Sequence, residues 1–424
     1  MPDEQAPATA ALDLFQSLLS GGQTPGDQRD LISAFLRQRA AVEVPLNGGV
    51  EAATLFVSGG SEDSASTAPD LLMTAPIMAA TLMTAPGDTR HDSGRADLSA
   101  MAALFADLAQ AASRLSSPPR IAFLAFEEDA AGAQKSVRAI AAERPELLKA
   151  RVILTPSRDG TIERQGRRLL PIATAFKGRV IIELSATGAP LNAGHPSTAS
   201  AACRLTRALL RLANQGLPLH ASPQAKAMFK AMRRRFDAPA YLRLLASGKL
   251  LAGMALDSID ASDPLAAPCA AALHNTAEPI SLSLAEPCAP GLMPDRGLAL
   301  LDCRRLPEQS SSALLLELRA CIDDSQLTLT ARDELTAACE TPPAPILDAI
   351  ERALSGLSDD LCPLPQWFSA HAPDAAFLAR AGAPLVGLPF VGDPNGDSAA
   401  QSLWTRALSA LSEALPTALD SPSV

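Results

Sequence analysis

Arg120-Ile121-Ala122-Phe123-Leu124-Ala125-Phe126 is an apolar run closed by Glu127-Glu128-Asp129. Apolar text without polar alternation suits a strand buried on both faces, as in a parallel sheet. Helical spacing follows over residues 133–142, and 151–154 reads as a second buried strand. Strand, helix and strand in this order predict an α/β protein with helices on the faces of its sheet.

Toward the N-terminus the pattern predicts helices over 12–19 and 28–38, the second capped by the Thr24-Pro25-Gly26-Asp27 turn. Short strands are predicted at 42–45 and 53–58, a Gly/Ser/Asp loop over 58–70, a buried strand over 71–78 and a helix over 97–115. The texture changes after Ala175. Strands at 178–185, 280–285, 297–304 and 326–331 join helices at 197–213, 223–245 and 310–322 in a compact α+β unit. The α/β texture then resumes with helices at 344–354, 375–380 and 400–415 and a strand at 385–390. The expected organisation is an α/β domain over 1–174 and 341–424, interrupted by an α+β domain over 175–340.

Bulk properties exclude several function classes. The chain has 424 residues, 47% hydrophobic and 19% charged, a globular composition too long for one ordinary domain. A net charge of -10 argues against general nucleic-acid binding, and the short run Arg233-Arg234-Arg235 reads as a solvated helix face. No window is long and apolar enough for a membrane span. The acidic Met1-Pro2-Asp3-Glu4 start lacks the basic region of a signal peptide. The seven cysteines (203, 269, 288, 303, 321, 339 and 362) form no C-x-x-C pair, which fits reduced thiols in a cytoplasmic protein. Alanine-rich text with Arg in excess of Lys fits a bacterial genome.

Five local patterns, in order along the chain, resemble the aminoacylase/carboxypeptidase family of two-zinc hydrolases (metallopeptidase family 20). Leu71 to Ala80 is similar to the family's L-x-x-H-x-D-x-V-P strand, with Pro76 where the zinc-binding His stands and Met78 where its orienting Asp stands. The nearest His-Asp pair is Arg90-His91-Asp92. Ser93-Gly94-Arg95-Ala96-Asp97-Leu98 resembles the segment whose Asp bridges both zincs, which points to Asp97; an ordinary helix N-cap is the other reading. Phe126-Glu127-Glu128-Asp129 resembles the D-E-E turn, with Glu127 as general base and Glu128 as metal ligand, or else it is an acidic surface turn. Gly188 to Ser197 resembles the segment whose His stabilises the oxyanion, which points to His195, or else to a turn histidine. Asp302-Cys303-Arg304-Arg305-Leu306-Pro307 resembles the family's D-x-R-x-x-P, whose Arg binds the substrate carboxylate; Arg304 is equally open to a structural ion pair. His371-Ala372-Pro373-Asp374 places Asp374 near the substrate.

The resemblance implies a zinc-peptidase-like mixed sheet flanked by helices, interrupted by a smaller lid domain of the dimerisation type. It also implies zinc, yet most ligands have no counterpart. Thr155-Pro156-Ser157 supplies no carboxylate, and no histidine follows His371. Carboxylates without imidazole hold zinc poorly, and without zinc no hydroxide forms at neutral pH. No cofactor is therefore expected. No G-x-S-x-G, phosphate loop or dinucleotide fingerprint offers replacement chemistry, and a Cys303 or Cys362 nucleophile paired with His371 has nothing in its spacing to favour it over buried structural thiols. Three readings stay open. The chain is a pseudoenzyme binding a carboxylate-bearing small molecule, peptide or partner in the interdomain cleft; an active metal-dependent peptidase or amidohydrolase; or an assembly partner dimerising through the lid.

Overall fold

The computed structural model describes residues 6–21, 24–39, 41–44, 46, 53–58, 68–77, 89–127, 135–188, 192, 194, 199–235, 259–260, 262–286, 289, 291–392, 394 and 396–420. Along the chain come helices α1 (Ala6–Gly21) and α2 (Pro25–Arg37), strands β1 (Val42–Val44), β2 (Ala53–Val57) and β3 (Leu71–Ile77), and helix α3 (Thr89–Ala112). Then follow β4 (Ile121–Glu127), α4 (Lys135–Glu143), β5 (Val152–Pro156), β6 (Ile162–Arg164) and β7 (Arg167–Phe176). The middle of the chain holds β8 (Gly178–Thr187), α5 (Ala201–Gln215), α6 (Pro223–Arg235), α7 (Ala266–Leu273), β9 (Thr276–Leu284), β10 (Arg296–Arg305), α8 (Ser311–Ile322) and β11 (Leu327–Leu335). The last part is α9 (Ala344–Ser355), β12 (Leu361–Ser369), a 3-10 helix (Asp374–Ala381), β13 (Leu385–Leu388) and α10 (Ser398–Leu419).

Nine strands make a mixed sheet in the order β1-β2-β4-β3-β5-β13-β7-β12, with β6 on β7. Its centre is parallel: β3 pairs with β4 and with β5, and β5 with β13. The expected two-sided burial is realised residue by residue. Leu71, Met73, Ala75, Phe123 and Ala125 join a core with Phe105 of α3, Ile350 of α9 and Leu411 of α10. Leu72, Leu124 and Phe126 point the other way, into a core with Ile140 of α4, Phe229 of α6 and Leu273 of α7. Strand side chains alternate with period two, so a strand covered on both faces must be apolar throughout. Each such buried Leu or Phe contributes about 1.5–3 kcal/mol.

The four-stranded sheet β11-β8-β10-β9 is antiparallel. Helices α5 and α8 cover one face, packing on Val180, Ile182, Leu184, Ala299 and Leu301. Ser200 caps α5, its hydroxyl accepting from the Cys203 amide at 3.2 Å, and Gly216 at φ 64° ends the helix. The mixed α/β class, interrupted by a smaller α+β unit, is thus the fold of the described residues. Helices α6 and α7, although they fall within 175–340, pack on the large sheet and not on the small one.

Two expectations need correction. Strand β12 went unread because Leu361-Cys362-Pro363-Leu364-Pro365-Gln366 looks like a loop. It survives as the edge strand of the large sheet, where missing amides are tolerated, and Gln366 bulges at φ 64° between two stretches paired with β7. Helix α3 begins at Thr89, so Asp97 lies well inside it and is not its N-cap. The Arg233-Arg234-Arg235 run is exposed, with Arg235 ion-paired to Glu351. Among the described residues, no helix is long and apolar enough to cross a membrane.

Candidate functional site

The parallel strands β3, β4 and β5 end side by side, the position where open α/β sheets place their sites. A cleft there is lined by Thr74, Ala75 and Pro76 of β3, Phe126 of β4 and Thr155 and Pro156 of β5, with Arg158, Pro373 and Ala375 across from them. It leaves about 20 Å³, room for roughly one water. Thr74 spends its hydroxyl on the Leu154 carbonyl at 3.2 Å. Pro76 lines this cleft, and the turn carrying Asp374 reaches it through Pro373 and Ala375.

The proposed site residues distribute as follows. Glu127 is the half-buried last residue of β4, opposite Ile77. Asp374 is 3% exposed at the start of the 3-10 helix. Both adjoin residues that line the cleft. Asp97 lies on α3 and is not among the lining residues. Arg304 lies on β10 in the small sheet, donating to Asp302 Oδ2 at 3.0 Å. Glu128 and His195 lie outside the described residues, as does Met78.

Among the described residues, the lining of the strand ends offers no two-zinc donor set: proline, phenylalanine and threonine lie there, and the charged side chain among them is a cation, Arg158. Among the same residues, no group of three His, Cys, Asp or Glu side chains comes close enough to hold a metal ion. Cysteine chemistry fares no better. Cys303 is fully buried in the small-sheet core, and burial pushes its thiol far up, with Asp302 adding to the effect; burial raises Cys362 as well. A thiol held protonated is no nucleophile. Among the described residues, cysteines 269, 303, 321, 339 and 362 form no disulfide.

A charge cluster at the junction of the two sheets was not foreseen. Asp302 Oδ2 is shared by Arg304 at 3.0 Å and Arg179 of β8 at 3.1 Å, so one carboxylate faces two guanidiniums. Lys177, between β7 and β8, is 1% exposed, and its ammonium nitrogen donates to the His274 carbonyl at 2.7 Å. Burial, aided by the positive charge of Arg304, lowers its pKa to about 7. The sequence signal was a lone lysine between two apolar strands, Ala175-Phe176-Lys177-Gly178-Arg179-Val180.

No protein-family model and no curated protein sequence matches the chain. Solved structures do. The dipeptidase Dug1p from Saccharomyces cerevisiae superimposes with a TM-score of 0.59 at 12% identity, covering 99% of this chain and 100% of its own. The M20 family metallo-carboxypeptidase Sso-CP2 from Sulfolobus solfataricus gives 0.58 at 11% identity, covering 92% and 96%. Human carnosine dipeptidase 1 gives 0.58 at 11% identity, covering 98% and 99%. The chain has the fold of the M20 metallopeptidases over nearly its whole length. At these identities the likeness carries the fold and not the activity.

Proposed function

We propose that the chain is a cytoplasmic pseudo-hydrolase that keeps the M20 frame and binds a peptide, an N-acyl amino acid or a partner segment bearing a carboxylate between its two sheets, beside the water-sized cleft at the strand ends. The observation that carries this reading is the lining at the strand ends: Pro76, Phe126 and Pro156 offer no metal donor, and Arg158 brings a positive charge where a metal site needs negative ones. The Arg179–Asp302–Arg304 cluster is one negative charge short, and guanidinium geometry suits a bidentate carboxylate.

Thermal-shift titration with N-acetylated amino acids tests the binding. Saturation at about a hundred times Kd adds roughly 2.7 kcal/mol of stability, or a melting shift of a few degrees. Arg304→Ala is expected to abolish that shift. A full shift in the variant would remove Arg304 from the reading, and no shift with any carboxylate ligand would remove the binding itself.

A second observation favours assembly as well. Strand β9 is an edge, and Ile280, Leu282 and Leu284 on one of its faces are 53%, 56% and 47% exposed. The stretch Pro279 to Leu284 carries no charge, so a second copy meets it without like-charge repulsion, and an uncharged apolar edge invites pairing. Sedimentation velocity is expected to give a dimer that Leu282→Lys dissociates. A monomeric wild-type protein would refute it.

A further inference from the structure

Lys177 is the whole connection between the two sheets on the outward crossing, since β7 ends at Phe176 and β8 begins at Gly178. Three contacts tie this point down. The Phe176 amide donates to the Ala338 carbonyl at 2.7 Å, in the segment by which the chain leaves the small sheet. The Lys177 amide donates to the Ser369 carbonyl at 3.3 Å, at the end of β12. Its ammonium nitrogen reaches the His274 carbonyl at 2.7 Å, just before β9. One residue thus clips together the large sheet and the strands entering the small one.

The surroundings are electrostatically wrong for an ammonium ion. Arg304 on β10 and Arg179 on β8 share the single carboxylate of Asp302. Arg305 is matched by Glu334 of β11. The His274 ring is engaged with the Leu217 carbonyl at 2.9 Å, and His371 beyond β12 is exposed. The three guanidiniums thus have their carboxylates in Asp302, Glu334 and, across from Asp302 on β9, Glu278, while the lysine nitrogen itself meets a neutral carbonyl.

We propose that Lys177 makes the hinge between the two sheets proton-dependent: the clamped arrangement holds the neutral amine, and swinging the small sheet away hydrates the amine, which takes up one proton. This device operates whether or not the cleft binds a ligand. Its direction follows from the depressed pKa. The clamped lysine titrates at about 7 and a hydrated one near 10.5. Opening is therefore favoured roughly tenfold more for each pH unit lowered between those values, and is flat below the lower one.

Amide hydrogen exchange at Phe176 and Lys177, corrected for the intrinsic rate and measured where reclosing outruns exchange, reads the opening constant directly. In the wild-type protein that constant is expected to rise about tenfold from pH ~8.5 to ~7.5. In Lys177→Met the pH dependence is expected to vanish. A flat opening constant in the wild-type protein, or the same slope in the methionine variant, overturns the proposal. Should the variant not fold, the wild-type slope still decides: a flat line ends it, and a tenfold step at these two amides, at opening constants well above that of Phe123 in the sheet centre, sustains it.

Discussion

Gly392→Ala is expected to destabilise the protein by about 3 kcal/mol or more. Gly392 follows β13 and sits at φ 88°. A methyl group there would collide with the Ala400 carbonyl oxygen and lie 2.7 Å from the Trp404 amide nitrogen, both backbone atoms of α10. Backbone cannot step aside as a flexible side chain does, so the strain of a left-handed residue adds to the displacement of a helix that buries Leu403, Trp404, Leu408 and Leu411. Urea unfolding should show a lower midpoint with an unchanged slope; a loss under about 1 kcal/mol would mean that the helix relaxes easily.

Lys177→Met should do the opposite, with a sign that reverses with pH. The folded pKa of about 7 lies below the ordinary 10.5, so the unfolded chain binds the proton more tightly. The group therefore penalises the fold most at and below neutral pH, and the penalty fades as pH rises toward 10.5. The gap between about 7 and 10.5 corresponds to roughly 5 kcal/mol as a ceiling. The variant also orphans the His274 carbonyl, at about 1–3 kcal/mol. A net gain of about 2 kcal/mol is expected near pH 7, turning into a net loss near pH 10. Parallel melts of both proteins at the two pH values check this, and a gain that does not change with pH would show that the lysine is charged in the folded state.

How far the sequence could be read depended on whether local text or distant packing set each feature. The central strands were legible because helices cover both faces of the sheet, leaving no polar position at Ile121 to Phe126. Strand β12 was not, because Pro363 and Pro365 are allowed only by its edge position beside β7, a partner distant in sequence. Pro76 was read onto the strand whose end lines the cleft because that strand was legible. Asp97 was misplaced relative to its helix because the boundary signal Pro86-Gly87-Asp88 was passed over and the helix starts at Thr89. Arg158 was passed over in a search for acids, although it contributes the charge at the cleft. Lys177 showed in the sequence as a lone lysine between two apolar strands, but its burial arises only when the two sheets close around residue 274. Arg304 was found by motif, but its ion pair with Asp302 and the sharing with Arg179 belong to the antiparallel register of β8 and β10, which sets Arg179 against Arg304.

The proposed absence of a metal pair rests on the proline, phenylalanine and arginine that line the strand ends. Elemental analysis of the protein after dialysis against excess zinc, with peptide and N-acyl amino acid hydrolysis followed alongside, tests it most directly. Zinc well below one equivalent per chain and no chelator-sensitive hydrolysis are expected. Two retained zincs per chain, with hydrolysis lost on chelation, would contradict it.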